Sequence, residues 1–118
     1  AATIASCDAL VHAKENEPFG LGVLEALAAG LPVVGPSRGG IAELIDDQVG
    51  QRAHSVNPAG MAEAIEALFA RDLAPIRAAA RRRAEQRHRW DTTFEGLTRL
   101  YGELVAGRAA GWPAALRA

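Results

Sequence analysis

The stretch EPFGLGVLEALAAGLPVVG, from Glu17 to Gly35, decides how the chain is read. Two glutamates, Glu17 and Glu25, enclose seven residues, PFGLGVL, in which a proline, a phenylalanine and two glycines open into a run of leucine and alanine. That run predicts a helix from about Leu21 to Ala29, and Gly30 stops it, because glycine takes the left-handed conformation that closes helices. LPVVGP follows as a short apolar strand, with Pro32 at its start and Pro36 at its end. A glycine turn, a helix, a tight stop and an apolar strand are one period of an α/β alternation.

The alternation extends outward on both sides. Upstream, DALVHA (Asp8 to Ala13) is apolar between polar flanks and predicts a buried strand, and KENEP is the loop that leads to Glu17. Downstream, Ser37 to Gly40 is a turn, and IAELID predicts a short helix with Ile41, Leu44 and Ile45 on its apolar face. A weak third strand is expected near Gln51 to Val56. Asn57 then caps a helix with Pro58 at its first position and Met61, Ile65, Leu68 and Phe69 on one stripe. Two more helices are expected, about Leu73 to Arg89 and about Asp91 to Val105, the latter with Thr92 and Glu95 as a capping box. The fold class is therefore α/β: a parallel sheet of about three strands, flanking helices and a helical C-terminus.

Composition excludes several classes of function. The chain has 118 residues with a formal net charge of -1, so nothing draws it as a whole to nucleic acid. No apolar run reaches the roughly 18 residues of a membrane span. The single cysteine, Cys7, cannot form an internal disulfide, fits a reducing compartment, and is expected to pack beside a strand. His54 and His88 have no metal-ligand spacing with Cys7 or with each other, and no D-x-D occurs, so no metal is indicated. His12 reads as a strand-end side chain. The opening AATIASCDALVHA reads as the tail of a helix running into a strand, as in a sequence joined midway.

Ligands of open α/β sheets sit beyond the carboxyl ends of the strands. Glu17 lies just past such an end, and Pro18 holds it extended. Gly20 and Gly22 leave amide groups unshielded at a helix start, which suits a phosphate because those amides are unpaired and the dipole is positive there. A carboxylate repels phosphate at close range but accepts hydrogen bonds from vicinal hydroxyls. Glu17 and Glu25 on either side of a phosphate-facing turn therefore fit a sugar–diphosphate–ribose ligand. On spacing alone, a solvated loop glutamate and an exposed helix glutamate are the commoner explanation, since glycines before a helix are common and the stretch is neither a G-x-G-x-x-G nor a Walker loop.

The run ENEPFGLGVLEALAAGLPVVGPSRGGIAELI resembles the donor-binding region of family 4 of the retaining glycosyltransferases. E-x7-E, F-G-L, L-E-A, A-x-G-x-P-V-V and G-G-x-x-E fall in order and at that family's spacing. CDALVHA, NPAGMAEAIEALF and RWDTTFEGLTRLY are similar to it too. The family has the GT-B fold, two Rossmann-like domains facing across a cleft. The resemblance implies that residues 1–106 are the later part of the C-terminal, donor-binding domain and residues 107–118 a loose tail. It implies a hexosyl transfer from a nucleotide diphosphate sugar to an acceptor hydroxyl, without a metal or other cofactor. Glu17 would contact donor-sugar hydroxyls near the reacting centre, the amides of Phe19 and Gly20 would face the sugar, those of Leu21 and Gly22 the diphosphate, and Glu25 the ribose. An arginine and a lysine, together with the acceptor domain, would belong to an N-terminal part of the same enzyme. The acceptor is left open between a sugar, a lipid and a small molecule. A sugar phosphorylase and a non-catalytic nucleotide-sugar-binding or interaction module remain as alternatives.

The remaining residues carry weaker signals. Lys14, the only lysine, reads as a loop residue that could reach a phosphate. Arg38 is either a ligand contact or part of a plain turn, and Glu43 is expected to fix its loop. Arg77 to Arg89 reads as a solvated face, with a surface for anionic lipid or an anionic acceptor as the alternative. Trp90 and Phe94, at i and i+4, are expected to pack rather than to stack on sugar. The expected localisation is cytoplasmic, with a peripheral contact at the inner face of the membrane left open.

Overall fold

The structure is a computed structural model and describes residues 2–107. It divides between Arg87 and His88 into two compact units. The first holds helix α1 (Ala2–Ala5), strand β1 (Leu10–Val11), helix α2 (Leu21–Ala28), strand β2 (Val33–Pro36), a 3-10 turn (Gly40–Glu43), strand β3 (Gly50–Ala53) and helices α3 (Pro58–Phe69) and α4 (Leu73–Arg87). The second holds helix α5 (Trp90–Val105).

The three strands form a parallel sheet in the order β1-β2-β3, with Leu10 opposite Val33 and Val33 opposite Gly50. Every residue of β2 is buried. Its successive side chains point to opposite faces, so Val33 joins one apolar cluster and Val34 another. On the Val33 face lie Val23, Ala26 and Leu27 of α2 with Ile41, Ile45, Val49, Ala80 and Ala84. On the Val34 face lie Ala53, Met61, Ala64, Leu68 and Ile76. Helix α4 serves both, and its small Ala80 and Ala84 allow close approach on the α2 side.

Several boundaries differ from the sequence reading, each for a local reason. Strand β1 pairs over two residues rather than six. It has a neighbour on one side only among the described residues, and the Asp8 carbonyl and carboxylate are drawn to Arg77 on α4, at 3.3 and 3.0 Å. Strand β3 ends at Ala53, because the chain turns away to reach the cap at Asn57. The short helix expected at IAELID is of the 3-10 type and spans Gly40–Glu43, with Ile41 and Ile45 buried as expected. Asp46 ends that segment: its carboxylate accepts from the Gln48 amide at 3.0 Å and its carbonyl from Val49 and Gly50. Helix α4 stops at Arg87, two residues early.

The α3 start is as expected: Asn57 Oδ1 accepts from the Gly60 amide at 2.8 Å, with Pro58 at the first position. Within α3, buried Ala64 takes the core place assigned to Phe69, which is half exposed. The capping box at Thr92 and Glu95 does not form, since α5 begins at Trp90 with Arg89 as its cap residue, without a side-chain cap hydrogen bond, placing Thr92 inside the helix. Trp90 and Phe94 stack on each other with centroids 5.7 Å apart. Cys7 is exposed rather than packed, its thiol donating to the Thr3 carbonyl at 3.2 Å. The expected tail, residues 107–118, lies outside the described residues apart from Gly107.

Two stability predictions follow from this packing. Leu27 is fully buried between α2, the sheet and α4, so Leu27→Ala should cost about 2–5 kcal/mol in urea unfolding of the chain. Burial raises the Asp46 carboxyl, but hydrogen bonds and charge from Arg83 and the amides of Gln48 and Val49 outweigh it, holding the group below its ordinary value of 3.8. A lowered carboxyl contributes stability above its unfolded value, which is lost as pH falls through the folded value. Asp46→Asn should therefore narrow the difference in unfolding midpoint between about pH 6 and about pH 3, modestly, because the side chain is partly solvated.

Candidate functional site

The loops that leave β1 and β2 meet at the carboxyl edge of the sheet. His12 extends the β1 pairing, its amide donating to the Val34 carbonyl at 2.9 Å, and its Nδ1 accepts from the Lys14 amide at 3.3 Å. The chain then passes through Glu15 to Pro18 and enters α2 at Gly20. The second loop, Ser37 to Gly40, lies directly on the first. A β-carbon at Gly39 would stand 2.0 Å from the Glu15 carbonyl oxygen, and one at Gly40 about 3 Å from the carbonyls of Glu17 and Pro18. Gly39 also has φ 80° and ψ -179°, a conformation essentially confined to glycine.

Gly20 is buried and left-handed, at φ 62° and ψ 39°, which swings the chain from the loop into the helix. Its carbonyl accepts from the amides of Val23 and Leu24 at 2.9 and 3.0 Å. The amides of Leu21 and Gly22 find no acceptor among the described residues, as the geometry of a helix start requires. Gly22 is helical, and a β-carbon there would meet nothing within 4 Å. Its place thus reflects open space over the helix start rather than a need for unusual backbone.

Leu21, Gly22, Glu25 and Ala29 form the exposed stripe of α2, while Val23, Ala26 and Leu27 face the core. The structure thus brings Gly22 and Glu25 onto one solvent-facing side, a turn apart. Phe19 and Leu21 are 77% and 68% exposed, unusually open for apolar residues flanking a buried glycine. Glu25 borders a cavity of about 470 Å³ lined also by Ile4, Ala5, Ala28, Ala29 and Arg81. Glu17 is half-buried on the preceding loop, and its Oε2 meets Lys14 Nζ at 3.4 Å. Lys14 therefore partly offsets the Glu17 charge.

Two features escaped the sequence reading. Arg81, on α4 and 53 residues after Ala28, forms part of the cavity wall beside Glu25 and donates to the Ala28 carbonyl. Glu43 is exposed and its side chain makes no hydrogen bond or ion pair among the described residues, so the loop is fixed by Gly39 and Gly40 instead. The GG dipeptide after an apolar strand was the available signal. Arg38 is exposed on the same loop. No cluster of three or more histidine, cysteine, aspartate or glutamate residues able to hold a metal occurs among the described residues.

A three-stranded parallel sheet with helices on its faces and an open helix start at its carboxyl edge defines a Rossmann-like unit. The model of the family described as "Glycosyl transferases group 1" matches residues 1–88, and the chain belongs to that family. It is 37% identical over 103 residues to the D-inositol 3-phosphate glycosyltransferase of Salinispora arenicola, covering 86% of this chain and 23% of that protein. It is 36% identical over 109 residues to the glycogen synthase of Mycobacterium tuberculosis, covering 90% and 26%. Among solved structures, sucrose-phosphate synthase from Thermosynechococcus elongatus matches with a TM-score of 0.77 at 27% identity, over 89% of this chain and 27% of that one. Anabaena HepE in complex with UDP-glucose matches with a TM-score of 0.66 at 26% identity, over 86% and 29%. The chain spans about a quarter of the length of these relatives.

The two glycines at the site should respond oppositely to alanine. Gly39→Ala sets a methyl group against the Glu15 carbonyl in a glycine-only conformation and should destabilise the chain by about 1–3 kcal/mol or more. Gly22→Ala meets open space in a helix and should stabilise it by up to about 1 kcal/mol. Urea unfolding of both variants beside the parent checks the contrast.

Proposed function

We propose that this chain is the donor-binding part of a retaining glycosyltransferase, which moves a hexosyl group from a nucleotide diphosphate sugar to an acceptor hydroxyl. The carrying observation is the helix start: two unpaired amides, Leu21 and Gly22, under open space, with Glu25 on the same exposed side one turn along. The likeness to HepE, solved with UDP-glucose, supports a uridine-type donor in that place.

In this reading the diphosphate lies over the amides of Leu21 and Gly22, which stabilise the charge that develops as it departs. Both donors are fixed by the helix, so they need no reorganisation during the reaction. Glu25 accepts hydrogen bonds from the ribose hydroxyls. Glu17, with the amides of Phe19 and Gly20, faces the donor sugar at the reacting centre. Lys14 offsets the Glu17 charge and so lowers its repulsion toward the nearby diphosphate. The acceptor, and further positive charge for the diphosphate, come from the remaining part of the enzyme, since the relatives are about four times longer than this chain. No helix among the described residues is long and apolar enough to cross a membrane, and an exposed free thiol at Cys7 supports a cytoplasmic setting.

The two glutamates separate under mutation. In the full-length enzyme, Glu25→Ala should weaken UDP binding by ~1–3 kcal/mol, the loss of hydrogen bonds to a charged group. Glu17→Ala should lower turnover and leave UDP affinity nearly intact. Calorimetry with UDP and a donor-transfer assay measure the two effects; unchanged UDP affinity in Glu25→Ala would remove that residue from the ribose site.

A further inference from the structure

The opposite edge of the sheet carries a second concentration of chemistry. Residues 46–49 lead into β3 at its amino end, and the last turns of α4 lie beside them. Between the two is a cavity of about 110 Å³ lined by Gln48, Ala79, Arg82, Arg83, Gln86 and Arg87. Its lining has three guanidinium groups, two carboxamides and no carboxylate.

The pocket is partly built in advance. Arg83 is held by Asp46 at 2.8 Å, and its side chain is only 11% exposed. The same guanidinium donates to Gln48 Oε1 at 3.3 Å, which leaves the Gln48 Nε2 hydrogens without that partner. Arg82 and Arg87 form no ion pair or hydrogen bond among the described residues. Arg83 and Arg87 stand four apart on one helix, a spacing at which like charges destabilise each other. The nearby acids lie outside the pocket lining. Asp46 is taken by Arg83, while Asp47 and Asp72 line, with Arg71, an adjoining depression that shares Gln48, Ala79 and Arg82 with this pocket, and neither forms an ion pair with Arg82. Arg71 in turn is committed to the carbonyls of Gly50 and Asp47. A merely solvated arginine face would not include an anchored, nearly buried guanidinium with two carboxamides converging beside it.

We propose that this pocket binds a phosphate-class oxyanion. Two mobile guanidinium groups can close on it as planar forks, the geometry that recognises tetrahedral oxyanions in pairs of hydrogen bonds. Arg83, its charge offset by Asp46, supplies a fixed guanidinium donor, the positive charge comes from Arg82 and Arg87, and the amides of Gln48 and Gln86 supply neutral donors. The volume holds a group several water molecules in size. The oxyanion is either a free phosphate, including that of a small phosphorylated molecule, or the headgroup of an anionic phospholipid.

The test titrates inorganic phosphate into the isotopically labelled 118-residue chain at low ionic strength and follows the side-chain resonances of Gln48, Gln86, Arg82 and Arg87. A saturable response in the millimolar range is expected. Arg82→Gln and Arg87→Gln should each weaken it about tenfold, the loss of a charge-assisted hydrogen bond. Arg99→Gln, which removes the same charge from α5, should not. Thermal melts confirm that the variants fold, as expected for exposed side chains without partners. Co-sedimentation with vesicles of equal phosphatidylcholine and phosphatidylglycerol, against phosphatidylcholine alone, separates the sources. Vesicle binding lost in the Arg82→Gln/Arg87→Gln double variant assigns the headgroup, and phosphate binding without vesicle binding assigns the free ion. A phosphate response that does not saturate, or one weakened equally by Arg99→Gln, overturns the proposal whatever the vesicles show.

Discussion

The contact on which the carboxyl edge depends is that of Gly39 against the Glu15 carbonyl, with no room between them for a β-carbon. It presses the loop after β2 onto the loop after β1. Gly40 continues the contact along the carbonyls of Glu17 and Pro18, so the segment carrying Glu17 is backed by main chain rather than by a side chain that could change rotamer. Gly20 is then free to be buried and left-handed, with Ile41 and Leu44 against it, and α2 starts at a fixed point. The open amides of Leu21 and Gly22 owe their position to this chain of contacts.

Beneath that edge, the rigidity comes from a strand buried on both faces. Val33 and Val34 send their side chains into separate clusters, and each cluster needs a helix to close it. Helix α2 closes the first and α3 the second, while α4 reaches both through Ala80, Ala84 and Ile76. The buried side of α2 is therefore fully used for packing, which leaves only the stripe from Leu21 to Ala29 for a ligand. In the proposed reading, stability and binding are divided between opposite sides of one eight-residue helix.

Arginine has a structural task in this unit beyond solubility. Arg52 donates to the Ile45 carbonyl at 2.7 Å, and Arg71 to those of Gly50 and Asp47. Arg77 holds Asp8, and Arg81 the Ala28 carbonyl. These carbonyls lie at strand and helix ends, where secondary structure leaves acceptors over. The basic helix is thus largely a set of ties between α4 and the segments around it. Arg82 and Arg87 stand out because they take no part.

The sequence by itself determined the family, the α/β alternation and the helix carrying Glu25. Those properties reside in local spacing: glycines and prolines at fixed offsets, an Asn-Pro helix start at Asn57, and an apolar run from Leu31 to Pro36 that can only be buried. It also singled out Gly20 and Gly22 together, but gave them the same part. Tertiary structure separated them, since only Gly20 is left-handed and only Gly22 opens to solvent. The short β1, the 3-10 turn at Gly40–Glu43, the ion pair of Lys14 with Glu17 and the cavity wall at Arg81 were likewise decided in three dimensions. Each rests on a neighbour that is remote in sequence or on a loop conformation that no periodicity encodes. Spacing along the chain states which side chains can share a face, but which carbonyl an arginine reaches, and which loop a glycine must let pass, depends on how the faces are stacked.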